Sequence, residues 1–295
     1  QETAISMANA GFESLISSQS KHDGTSQIRN LLKNLGASVV YEESNVVANK
    51  KLWDIYAKDW SPNKDWVQRM AHGSTESSST PNIDGKKRGI ECLGDEWSDR
   101  KSFLEVVDRF IVSNIKKSDS VLEIGSGGGR VASLVCPLVS SLHCFDVSSE
   151  MLKCAQKTLS KFNNVRFTLL ESSTDSPPTF PIKLTSTFDF VYLFDVLVHV
   201  DIHTQFNYFQ QIFQLLKPDG KALIHTANLC APNGWKRFEK QKKFSVAGFY
   251  FVTPDLVDLL LAKSGFEIIE RSSIDERNVY LSRDYFVVVR KRIPK

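Results

Sequence analysis

From Val121 to the C-terminus, short apolar runs alternate with helical patterns, and this alternation constrains the fold more than any other feature. "VLEIG", "LHCFDV", "VRFTLL", "FDFVYLF", "KALIHTA", "FEIIERSS" and "DYFVVVRK" read as seven strands. Helical periodicity lies between most of them, as in "SSEMLKCAQKTLSKF" and "HTQFNYFQQIFQLL". The expectation is an α/β fold: a seven-stranded, mostly parallel sheet with helices on both faces, the last strands free to differ in direction.

Upstream the pattern changes. "IRNLLKNL" has a short helical rhythm, and "KLWDIYAKDW" puts Trp53, Tyr56 and Trp60 on roughly one helical face. Trp53, Trp60 and Trp66 read as packing; Tyr56 suits either packing or a ligand. "AHGSTESSSTPNIDGKKRG" lacks periodicity and reads as a flexible loop near 71–90. The division expected is a helical N-terminal cap over 1–99 and a main domain over 100–295, with a lid insert at 231–254. At 295 residues the chain has room for both.

Composition excludes more than it selects. A net charge of +3 gives no reason to expect a nucleic-acid surface. No apolar run reaches membrane-spanning length. The five cysteines form no CxxC pair and no cluster with histidine; three lie in apolar strand or helix patterns, and buried thiols of a reducing compartment are the reading. The expected location is intracellular, in cytoplasm or an organelle lumen, and not secreted. The chain begins at Gln1 rather than Met, which leaves a preceding targeting segment open, and a homodimer is left open too.

The chemistry concentrates in "VLEIGSGGGR". Gly125, Gly127 and Gly129 follow the first strand, where the backbone can turn tightly and approach a ligand. A dinucleotide site wants G-x-G-x-x-G with the pyrophosphate on the helix N-terminus. Here the spacing is G-x-G-x-G and Arg130 takes the last position. Glu123 would also repel a pyrophosphate, while its carboxylate suits a ligand with an ammonium group and no phosphate. S-adenosylmethionine is such a ligand. Asp146 ends the second strand, where an acid can take both ribose hydroxyls. Glu171 and Ser172 end the third, within reach of an adenine amine, and Met151 suits the adenine face.

These residues resemble the large family of Rossmann-like, S-adenosylmethionine-dependent methyltransferases. The carriers are "VLEIGSGGGR", "FDVSSEML", "FDFVYLFDVLVHV" and "LLKPDGKALIHTA", over about residues 100–295. The resemblance implies Glu123 at the methionine end of the cofactor, Gly125 and Gly127 beside it, Asp146 on the ribose and Phe194 along the methionine moiety. A narrower resemblance, carried by "FDVLVHVDIHTQFNYF", "NGWKRF" and "FYFVTPDLVDLL", is to the enzymes that S-methylate 4-methylthio-2-hydroxybutyrate on the way to dimethylsulfoniopropionate. A catalytically silent cofactor-binding partner protein is the reading from another class, and the complete first motif argues against it.

Absences narrow the acceptor. No "DPPY"-like motif follows the fourth strand, and no pair of glutamates stands there. Asp195 and Asn228 lack a partner acid because residue 227 is Ala, so no catalytic metal is expected. A small organic acceptor remains, methylated at S, O or N. Its pocket is expected to use Tyr56, Trp97, His199, Trp235, Arg237 and Tyr250. His199 reads as a base, an acceptor ligand or a structural histidine. The insert with Lys236 and Arg237 reads as a solvated loop or as a lid for an acidic acceptor.

Overall fold

The computed structural model describes residues 45–65, 67, 90–171, 177–243, 245 and 248–292. The chain divides into two units, Gln1–Glu43 and Ser44–Lys295, and every described residue belongs to the second. The "IRNLLKNL" helix, Trp66, the loop over 71–89 and Ser172 lie outside the described residues.

All seven expected strands form: β1 Ser120–Ile124, β2 Ser141–Asp146, β3 Val165–Leu169, β4 Phe188–Leu193, β5 Leu216–Asn228, β7 Phe266–Arg271 and β8 Asp284–Lys291. An eighth, β6 Phe251–Val252, corrects the expected number. Its two residues are too few to show a period, and it lies inside the presumed insert, pairing with the end of β5 at Ala227 and Asn228. The order is β3-β2-β1-β4-β5-β8-β7. All pairs are parallel except those made by β8, which runs against β5 and β7. The order reverses at β1, which pairs with both β2 and β4. In open α/β sheets, ligands bind beyond the carboxyl ends of the strands at this switch.

Seven α-helices are described: α1 Asn45–Asp59, α2 Arg100–Phe110, α3 Ala132–Val135, α4 Ser149–Thr158, α5 Ile202–Leu215, α6 Pro232–Gln241 and α7 Pro254–Lys263. Alternation along β1 sends Leu122 and Ile124 to one face of the sheet, against Tyr208, Phe209 and Ile212 of α5. Val121 goes to the other face, against Val106 and Phe110 of α2. Glu123 shares that second face, between its register partners Cys144 and Tyr192. α2 and α5 start where short acids cap them: Asp99 accepts from Ser102 N–H, and Asp201 from the N–H groups of His203 and Thr204. Asp201 is therefore a helix cap. The 231–254 stretch is α6 followed by β6 rather than a loop; Pro232 sits in its first turn, where a missing N–H costs nothing.

α1 and the 90–97 segment lie against α4 through Ala57, Trp60, Leu93, Met151 and Cys154. Asp54 of α1 accepts from Ser148 Oγ at 2.6 Å. Among the described residues no helix is long and apolar enough to cross a membrane.

Candidate active site

A cavity of about 940 Å³, its mouth included, opens at the carboxyl ends of β1, β2 and β4 and is closed over by α1 and the 93–97 segment. The glycine turn forms its floor. Gly125 has φ +74°, and a Cβ there would stand 2.3 Å from Val196, so only glycine lets the post-β4 loop come this close. Gly127 has φ +52° and open space where a Cβ would point. Its N–H donates to Asp146 Oδ2 at 2.8 Å, and Ser148 N–H donates to the other oxygen at 2.8 Å. Burial raises the Asp146 pKa to about 6 in spite of these bonds.

Glu123 is 2% exposed and lines the same cavity. Burial pushes its carboxyl well above the usual carboxylate range, with Asp146 adding to the rise. No cation lies within ion-pair distance of it among the described residues. The Ser126 hydroxyl, also lining the cavity, is buried without a hydrogen-bond partner. Two buried acids, an orphan hydroxyl and a bare glycine backbone fit a ligand that brings an ammonium group and a diol.

The other half of the cavity is aromatic. Trp53 meets Trp97 edge to face at 5.6 Å between ring centroids, and His199 at 5.2 Å. The His199 ring faces Gly248 O at 2.9 Å through Nδ1, which places the proton there and the lone pair on Nε2. Its carbonyl accepts from Asn45 and Asn49. Burial lowers the His199 pKa to about 4, and the charges of Arg237 and Arg283 push the same way.

Arg130, which the sequence shows only as a departure from the dinucleotide pattern, ties three segments together. It donates to Gly94 O at 2.7 Å, Asp195 Oδ2 at 3.0 Å and the Tyr280 hydroxyl at 3.1 Å. Asp195 holds φ +57° at the end of β4 and also accepts from the Tyr280 hydroxyl at 2.9 Å. Behind it, His225 and Asp284 complete a trio with metal-ligand proximity. Arg283 pairs with Asp284 at 2.5 Å, and Arg130 holds Asp195, so guanidinium groups already neutralise both carboxylates. That arrangement does not fit a divalent cation. The partner acid missing at residue 227 thus has a counterpart across the ladder, since Asp284 is the register partner of Ala227.

Of the residues expected at the site, Glu123, Gly125, Gly127, Asp146, Met151, Phe194, Trp97 and His199 line the cavity. Tyr56 stands one layer back, its hydroxyl donating to Glu96 and its ring 5.5 Å from Trp97. Arg237 lies outside the lining, its guanidinium 3.8 Å over Phe249, which in turn meets His199. Glu171 is exposed just beyond β3, and the lining stops at Leu170. Trp235 is 48% exposed beside Phe238, and Tyr250 is bound through its N–H to Val198 O; neither lines the cavity. Trp53 and Asn49 do line it. Their i, i+4 spacing on α1 was the available signal, but it also fits an ordinary packed face.

The sheet order and the glycine-floored cavity at its switch point have the architecture of the class I, Rossmann-like α/β fold. A family model described as "Methyltransferase domain" matches residues 96–271, and the chain belongs to that family. Among curated proteins it is similar to a phosphoethanolamine N-methyltransferase of Plasmodium falciparum, 24% identical over 59% of this chain and 65% of that one. It is also similar to a mitochondrial ubiquinone biosynthesis O-methyltransferase of Bos taurus, 28% identical over 50% of this chain and 41% of that one. The chain thus spans less than two thirds of either relative. Among solved structures, the [4+2]-cyclase SpnF superposes with a TM-score of 0.56 at 14% identity, over 85% of this chain and 97% of that one. A cyclase on this fold is a reminder that the fold does not choose the reaction.

Proposed function

We propose that the protein transfers a methyl group from S-adenosylmethionine to a small organic acceptor. The observation that carries this reading is the placement of Glu123, the glycine turn and Asp146 around one cavity at the switch point of the sheet. When bound, the cofactor supplies an activated methyl on a sulfonium. Glu123 would hold its ammonium group, Asp146 its ribose hydroxyls, and Met151 the adenine face. Phe194 would lie along the methionine moiety.

The acceptor half supports a nucleophile that carries no proton. His199 is held neutral and weakly basic, and the other acid nearby, Asp195, is committed to Arg130 and Tyr280. A thioether or tertiary amine needs positioning and dryness rather than a base. Arg237, with no ion-pair partner among the described residues, stands outside the lining beyond Phe249 and His199, and an inward turn of its side chain would bring it to a carboxylate end. A thioether acid such as 4-methylthio-2-hydroxybutyrate meets both conditions. The test is a panel of thioethers, amines, phenols and carboxylates scored by S-adenosylhomocysteine formation. Turnover confined to thioether acids supports the reading; turnover confined to phenols or alcohols overturns the base-free part of it.

A further inference from the structure

The aromatic half of the cavity is backed by an unusual charge. Glu96 is 4% exposed, and its carboxylate accepts from the Tyr56 hydroxyl, from Trp60 Nε1–H at 2.9 Å and from Gly94 N–H at 3.0 Å. All three donors are neutral. Among the described residues no Lys, Arg or His stands within ion-pair distance of it. A buried carboxylate is ordinarily paired with a cation or a metal. This one lies behind Tyr56, whose ring backs the Trp53 and Trp97 rings that wall the corner.

The neighbouring charges do not cancel it. Arg130 stands 5.9 Å from the Trp97 ring centroid, and it is matched by Asp195 at 3.0 Å and Asp95 at 4.0 Å. The corner also holds an uncommitted acceptor. Asn49 spends its amide N–H groups on Asn45 O and His199 O, while its Oδ1 is buried with no partner. Two indole rings at an interplanar angle of 63°, a neutral imidazole against one of them and a lone carbonyl oxygen all offer electron-rich surface to the corner, and a buried acid stands behind Tyr56. Ring faces attract cations, most strongly when water is excluded.

We propose that the Trp53–Trp97–His199 corner is a binding site for an onium ion, the methylated sulfur or nitrogen that the reaction creates. This rests on the methyltransferase reading and specifies its acceptor as a thioether or tertiary amine. A lone pair on the acceptor forms the new bond to the methyl carbon. The S–CH3 bond of the cofactor breaks with its electron pair staying on the cofactor sulfur. No proton leaves and no co-reactant enters; positive charge passes from the cofactor to the acceptor. The corner is therefore best satisfied when the charge has arrived, which favours the transition state over the neutral acceptor.

The test uses the full chain saturated with S-adenosylhomocysteine. Choline with its uncharged carbon isostere 3,3-dimethyl-1-butanol, and (2-hydroxyethyl)dimethylsulfonium with its isostere 3-methyl-1-butanol, are titrated by calorimetry. Each onium ion is expected to bind roughly tenfold more tightly than its isostere, or better. Trp53→Leu should abolish that preference, and Trp53→Phe should keep part of it; Trp97→Leu serves if Trp53→Leu does not fold. Equal binding of isosteres and onium ions, or a preference that survives the leucine variants, overturns the proposal while leaving the cofactor reading intact. Failure of S-adenosylhomocysteine itself to bind would refute that reading and the proposal together.

Discussion

Protonation of Asp146 separates two effects of opposite sign. Its pKa rises from 3.8 to about 6 in the folded protein because burial disfavours the carboxylate. At about 1.4 kcal/mol per tenfold change in proton affinity, the interval corresponds to roughly 3 kcal/mol. A carboxyl raised in the folded state contributes stability that is complete below pH 3.8 and lost as pH climbs through about 6. Cofactor binding runs the other way. Ribose hydroxyls donate to the ionised form, and bonds to a charged group are worth about 1.5–3 kcal/mol. Affinity for S-adenosylhomocysteine should therefore be high at pH 7.5 and drop about tenfold for each pH step once Asp146 is mostly protonated. Asp146→Asn removes the titrating group while keeping an acceptor for Gly127 or Ser148. Calorimetric titrations at pH 5 to 8 should show a slope in the native protein that Asp146→Asn flattens, with affinity at pH 7.5 lowered by about ten- to a hundredfold. Turnover at saturating cofactor should change far less, because the ribose contacts are equal in ground and transition states. Identical slopes in the two proteins would show that the adenosine does not sit on Asp146.

The remaining predictions concern single contacts. Gly125→Ala forces a side chain into φ +74° and within 2.3 Å of Val196, so it should cost about 2–5 kcal/mol, read as a lowered midpoint of denaturant unfolding. Arg130→Met leaves Asp195 without its 3.0 Å partner and should destabilise by up to about 3–5 kcal/mol, whereas Arg130→Lys should recover part; equal stability of all three proteins would contradict the staple. His199→Gln should change KM or kcat but leave the pH profile of turnover without a lost limb at pH 6 to 7, because His199 is already neutral with a pKa near about 4; a limb that vanishes in the variant would restore His199 as a base. Glu123, held above the usual carboxylate range by burial, should give up protons when an ammonium-bearing cofactor binds. Titrations in buffers of different ionisation enthalpy read that release, and Glu123→Gln should diminish it.

The sheet was legible because its strands carry short apolar runs with helical periodicity between most of them. The residues proposed to hold the cofactor were placed by local order: Glu123, Gly125, Gly127 and Asp146 sit at or just past the ends of consecutive strands, and all four line one cavity. The acceptor half was not so placed. Trp53 has helical spacing with Trp60, and only the docking of α1 shows that one ring faces the cavity while Trp60 turns to Glu96. Arg130, Asp195, Tyr280 and Asp284 meet through β8, which runs against its neighbours, and no short motif records that meeting. The helix inside the 231–254 stretch was not legible, because α6 buries little besides Gly234 and its charged residues dominate the pattern.

The central claim is that the Glu123, glycine-turn and Asp146 constellation holds S-adenosylmethionine. Calorimetry of the purified chain with S-adenosylhomocysteine and with NAD tests it most directly. The account predicts one saturable site for S-adenosylhomocysteine, weakened in Asp146→Asn, and no measurable heat with NAD. Tight NAD binding with no response to S-adenosylhomocysteine would contradict it.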